Sequence, residues 1–135
     1  MALNIVCKPG DLLPAPVPAG TKSGDPLRLG GLNGVAVTDR ANLVAPLNAD
    51  GSVNTAYNRG GGNTNGNASV WFEGVVSVPV TAASAPAYGA PVYYDPATKK
   101  LTVTAGSLAV WGHVVDPAPT DNGSGVFQAL VRITN

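Results

Sequence analysis

The stretch Gly125-Val126-Phe127-Gln128-Ala129-Leu130-Val131-Arg132-Ile133-Thr134 decides the fold. Phe127, Ala129, Val131 and Ile133 alternate with Gln128, Arg132 and Thr134, the period-two pattern of a half-buried strand. Leu130 is the one apolar residue on the polar side. A second segment extends the theme. Val70, Phe72, Val76 and Val78 share a face with Gly74, opposite Trp71, Glu73, Val75 and Ser77. Apolar groups on both faces predict cover on each side, a second sheet layer on one and a partner subunit on the other.

Outward from these runs, strands are expected at Leu3–Lys8, Leu12–Val17, Pro26–Leu29, Gly34–Thr38, Asn42–Leu47, Val70–Val80, Pro91–Tyr94, Lys100–Thr104, Leu108–Val115 and Gly125–Thr134. Turn chemistry separates them at Pro9-Gly10-Asp11, Gly24-Asp25-Pro26, Gly30-Gly31, Asp50-Gly51, Asp95-Pro96 and Asn122-Gly123. No window repeats apolar residues at helical spacing between caps. With 17 Gly and 12 Pro in 135 residues, long helices are excluded. The fold class is all-β, a small barrel or sandwich of about eight to ten short strands.

The chain reads as a single β domain over 1–135, with residues 1–11 as an N-terminal strand or arm. Residues 48–69 are polar and rich in Gly and Asn, which predicts a flexible insertion loop. A faint internal echo is also present. Gly24-Asp25-Pro26 leading to Gly34-Val35-Ala36-Val37-Thr38-Asp39 is repeated as Gly89-Ala90-Pro91 leading to Gly112-His113-Val114-Val115-Asp116.

Charge narrows the function. Eight basic and eight acidic residues cancel, and charged residues make up only 12% of the chain. The basic residues are scattered, so the positive stripe that a phosphate backbone requires is missing and no nucleic-acid partner is expected. The N-terminus lacks the pattern of a signal peptide or membrane span, so no membrane partner and synthesis in a reducing cytoplasm are expected. One cysteine, Cys7, excludes an internal disulfide.

His113 is the single histidine and has no nucleophile or orienting carboxylate at recognisable spacing. One Cys and one His are too few for zinc. Asn48-Ala49-Asp50-Gly51 imitates the middle of a calcium loop, but Pro46 and Tyr57 occupy its end positions. Gly20-Thr21-Lys22-Ser23 lacks the Gly before Lys that a phosphate loop needs. Most aspartates fall in turns, where they serve the backbone. No catalytic residue, cofactor or metal is expected. Trp71, Trp111 and His113 are the candidate subunit-interface residues, with Trp111, His113 and Val115 expected on one strand face.

The segment Val17-Pro18-Ala19-Gly20-Thr21-Lys22-Ser23-Gly24-Asp25-Pro26-Leu27-Arg28-Leu29, continuing into Gly34-Val35-Ala36-Val37-Thr38-Asp39, resembles the opening of the tailed-bacteriophage capsid cement, or head decoration, proteins. Glu73-Gly74-Val75-Val76-Ser77-Val78-Pro79-Val80, Gly89-Ala90-Pro91-Val92-Tyr93-Tyr94-Asp95, Lys99-Lys100-Leu101-Thr102 and Trp111-Gly112-His113-Val114-Val115 extend the resemblance along most of the chain. It departs at Ala90, where the family has Asp, at Tyr94, where it has Trp, and at the long stretch 41–69.

The resemblance implies a non-enzymatic homotrimer on the outer surface of the virion capsid. It implies binding to the expanded head and bridging of major capsid protein subunits. Leu3, Ile5 and Cys7, on one face of the N-terminal segment, are the candidate capsid-contact arm. The alternative function is a virion surface recognition module that uses the 48–69 loop.

Overall fold

The computed structural model of the protein describes Gly10 and residues 12–135. The strands expected at Leu3–Lys8, and with them Leu3, Ile5 and Cys7, lie outside the described residues. The longest strand is the C-terminal one, β10 (Val126–Ile133), and its alternation holds. Phe127, Ala129, Val131 and Ile133 are buried, while Leu130 and Arg132 are exposed.

The other strands are β1 (Leu13–Pro16), β2 (Pro26–Leu29), β3 (Leu32–Ala36), β4 (Asn67–Trp71), β5 (Val75–Thr81), β6 (Pro91–Asp95), β7 (Lys100–Thr102), β8 (Ala109–Val114) and β9 (Thr120–Asp121). The protein is all-β, as its strand alternation and turn chemistry predict. The described residues pack as two compact units, one containing Pro26–Gly34 and Phe72–Asn135, the other Leu12–Asp25 and Val35–Trp71.

In the first unit, five strands close into a ring in the order β5, β7, β6, β8, β10 and back to β5. The seam is a seven-residue antiparallel register running from Val126 opposite Thr81 to Arg132 opposite Val75. Only β5 and β7 run parallel, through Val80–Leu101 and Thr81–Thr102. Closing the ring leaves no free edge along it, which protects short strands from pairing with other chains. Val78, Val80, Val92, Leu101, Val114 and Val131 are fully buried, so the ring holds a packed aliphatic interior. The short strand β9 pairs with the first part of β10 on the side opposite β5.

A bulge decides the fate of β8. Val92 faces Gly112 and Tyr93 faces Val110, so Trp111 is the extra residue between them. The inserted residue inverts the alternation, and Trp111 and Gly112 are both buried, with Val110 and His113 exposed on either side. Trp111 and His113 are therefore not on a common face, contrary to the expectation from simple alternation. Trp111 is wholly enclosed, at 0% exposure, and its Nε1 donates to the Leu27 carbonyl at 2.8 Å.

In the second unit, β4 pairs with β1 from Leu13–Val70 to Pro16–Asn67, and with the end of β3 through Val35–Trp71 and Ala36–Val70. Its interior is built from small residues, Ala15, Ala36, Ala41 and Ala68 with Val17, Val35 and Val70. The glycine triplet at Gly60-Gly61-Gly62 takes three successive left-handed conformations. A Cβ on Gly60 would stand 2.6 Å from the Ala41 nitrogen, so the triplet is a packing device rather than a phosphate cradle.

Two strand expectations are corrected. The run Val70–Val80 is interrupted, because Gly74 adopts a φ of 106° and the chain bends at Phe72-Glu73-Gly74 between β4 and β5. Asn42–Leu47 forms no strand, only the isolated bridges Asn42–Asn58 and Leu47–Val53. Its backbone groups are taken by asparagine side chains instead. Asn65 Oδ1 accepts from Leu43 N at 3.0 Å, and Asn54 Nδ2 donates to the Ala45 carbonyl at 2.9 Å.

The internal echo has a structural counterpart. Gly24 N donates to Ala36 O at 2.7 Å and Ala36 N to Asp25 O at 3.0 Å. Gly89 N donates to Val114 O at 2.7 Å and Val114 N to Ala90 O at 2.9 Å. Both hairpins are thus closed by the same reciprocal pair beside a left-handed glycine.

Candidate functional site

The carboxylates show what this surface does with its charge. Asp25 accepts from Lys22 N, Asp50 from Ser52 N and Oγ, and Asp95 from Ala97 N and Thr98 Oγ1. Asp116 accepts from Ala118 N and Leu130 N, and Asp121 from Gly123 N. Apart from the bond from Leu130 N, which ties Asp116 to β10, these are turn contacts of the kind that short polar side chains make with nearby backbone. Glu73, the one glutamate, accepts from Gly10 N. Each of these carboxylates is thereby engaged by its own chain.

Asp39 joins more elements than the others. Its Oδ1 accepts from Ser23 N at 2.9 Å, and its Oδ2 accepts from Lys22 Nζ at 3.1 Å and Asn58 Nδ2 at 3.0 Å. It fastens the 48–69 segment to the 21–23 turn inside the second unit. The Ser23 amide first, then Lys22, holds its carboxyl below the ordinary value of 3.8. Asp50 is lowered by the Ser52 hydroxyl and amide, and Asp95 by the Thr98 hydroxyl and the Ala97 amide. A lowered folded-state pKa means that the unfolded chain binds protons first. These groups therefore contribute stability above about pH 4, and it is lost as pH falls through their folded values. The melting temperature should stay level from pH 7 to about pH 4 and drop below it. Asp39→Asn should flatten part of that drop, and an unchanged acid profile would remove Asp39 from the account.

The predicted interface residues fall in both units. Trp71 stands on the second unit at 41% exposure, on the side of β4 away from the buried Val70. His113 is exposed on the first unit, its Nδ1 3.2 Å from the Thr134 hydroxyl oxygen, opposite Arg132 and Pro91 across the sheet. Trp111 has no surface left for a second copy. Among the described residues no group of three His, Cys, Asp or Glu side chains converges as a metal site, and no helix is long and apolar enough to cross a membrane.

Exposed apolar groups form two sets, the first containing Leu130 and Val75, which the strand alternation already set apart, and the second not singled out from the sequence. On the first unit, Val75 and Leu130 project outward from the β5–β10 seam, near Arg132. On the second, Leu43, Val44, Leu47 and Val53 are exposed within eleven residues, Val53 at 73%. Their signal was present as apolar residues where the alternation fails. Single exposed hydrophobes are ordinary, but a concentration of them marks a contact surface.

The described residues thus form a small closed β-ring and a hydrogen-bonded β unit whose carboxylates are engaged by their own backbone and side chains. A model of the phage cement protein family matches residues 7–133, and the chain belongs to that family. The searches of curated proteins and of solved structures return no match. Membership makes this a virion-associated protein with a capsid cement role, and the family's role is structural rather than catalytic.

Proposed function

We propose that the protein acts as a homotrimer on the outside of the expanded head, bridging neighbouring major capsid protein subunits. The observation that carries this reading is the exposed apolar set Leu43, Val44, Leu47 and Val53 in a segment fastened by hydrogen bonds. A fixed apolar surface loses little conformational entropy on docking. Three such contacts per trimer would raise the effective concentration of the second and third once the first has formed. Binding only to the assembled shell stabilises that shell by mass action.

The recognition-module alternative is less well supported by the 48–69 segment. Asn48, Asn54, Asn58 and Asn63 turn their amides onto the chain itself, which leaves fewer of them for a glycan or receptor. The candidate subunit contacts are Trp71 and His113, together with the Val75–Leu130 face. For the arm we retain strand addition by Leu3, Ile5 and Cys7 to a capsid-protein sheet edge.

The test mixes the purified protein with undecorated expanded heads and measures co-sedimentation and the temperature of thermal rupture. Binding with a raised rupture temperature is expected. Deleting residues 2–8 should abolish binding while leaving the oligomer and its melting temperature intact. Full binding by that deletion would eliminate the arm. Absence of binding by the intact protein would overturn the reading as a whole.

A further inference from the structure

Arg28 on β2 is half-buried and held in place, yet it makes no ion pair among the described residues. Its Nη1 donates to Asn33 Oδ1 at 2.7 Å, with the Val110 carbonyl at 3.5 Å. Asn33 is itself 2% exposed. Its Nδ2 donates to the Val110 carbonyl at 3.1 Å and the Thr134 carbonyl at 2.6 Å, and its backbone N donates to Asn135 Oδ1 at 2.6 Å. A buried amide with both side-chain protons engaged cannot turn, so its oxygen fixes the guanidinium. The hydrogen-bond partners of Arg28 among the described residues are neutral.

Beside it opens a cleft of about 420 Å³ in the first unit, lined by Arg28, Tyr94, Pro96, Ser107 and Leu108 among others. A guanidinium has five N–H donors in a rigid fork, of which Asn33 and Val110 engage only one nitrogen's share. The remaining donors match a carboxylate, which accepts two parallel hydrogen bonds from such a fork. The tyrosine, proline and leucine suit the aliphatic stem of the same side chain.

We propose that this cleft takes an Asp or Glu side chain of the shell protein. The proposal rests on the capsid-binding reading above and names a contact within it. A second copy of this chain is a poor source of the carboxylate. Asp25, Asp50, Asp95, Asp116 and Asp121 serve their own turns, Asp39 holds Lys22 and Ser23, and Glu73 holds Gly10. Only Asp11 lies outside the described residues.

The experiment uses the full chain and undecorated expanded heads, with co-sedimentation at increasing sodium chloride. Arg28→Glu should weaken head binding at least tenfold, and Arg28→Gln severalfold with a flatter salt dependence. Ser107→Glu, at an exposed loop position, would supply a carboxylate to the cleft from within and should block binding as well. Thermal melts of all three establish that they fold. Arg28→Glu and Ser107→Glu variants that bind like the parent overturn the cleft but leave capsid binding standing. A changed oligomeric state of free Arg28→Glu would assign the carboxylate to a second copy and overturn the proposal. Failure of the parent protein to bind heads would overturn both readings.

Discussion

Replacing Trp111 by alanine is expected to remove about 3–5 kcal/mol of stability, the usual cost of emptying a fully buried aromatic site. Trp111 is the largest of the fully buried side chains. Its loss would leave a void in the first unit and deprive the Leu27 carbonyl of its indole donor. An unsatisfied buried acceptor adds a penalty of about 1–3 kcal/mol. Against a total of about 5–15 kcal/mol for an ordinary domain, that is enough to make the first unit marginal at 37 °C. Trp111→Phe separates the terms, since it keeps most of the volume and removes the hydrogen bond, and should cost about half as much. Urea titration followed by circular dichroism reads both. Trp111→Ala within about 1 kcal/mol of the parent would show that the ring interior is not packed around the indole.

Gly112→Ala is expected to destabilise by about 3 kcal/mol although it adds a single methyl group. A Cβ at that position would lie 2.4 Å from the Arg132 carbonyl oxygen and 2.8 Å from Val131 Cγ1. The first of these is backbone, in a strand paired on both sides, so it cannot move aside as a side-chain tip would. Relief requires β8 and β10 to separate where Arg132 pairs with His113 and Ile133 with Gly112. Gly31→Ala is the control, because a Cβ there meets nothing within 4 Å and no positive φ is required. It should stay within about 0.5 kcal/mol of the parent. Equal melting temperatures for the two variants would contradict the close approach of the strands.

Both effects originate in one irregularity that alternation cannot reveal. The period-two pattern of Phe127 to Ile133 is local, because each side chain's face follows from the pleat of its own strand. The same rule misplaces Trp111, since a bulge arises from the register with β6 and not from the residues of β8 alone. The glycine after the tryptophan was the available signal, as glycine within a strand marks a bulge or a close backbone approach. At Gly74 the equivalent signal marks the break in the run Val70–Val80. Between residues 41 and 69 the asparagines that suggested looseness hold the segment by accepting and donating backbone hydrogen bonds.

By itself the sequence determined the all-β class, the turns at Asp25, Asp50, Asp95, Asp116 and Asp121, and the resemblance to capsid cement proteins. Those features rest on interactions between residues a few positions apart. Closure of the ring through β5 and β7, burial of Trp111 under Leu27, and fixation of Arg28 through Asn33 and Asn135 were decided only in the tertiary structure. Asn33 and Asn135 are separated by 102 positions. Contacts of that separation depend on the register of every strand between, which no local pattern encodes.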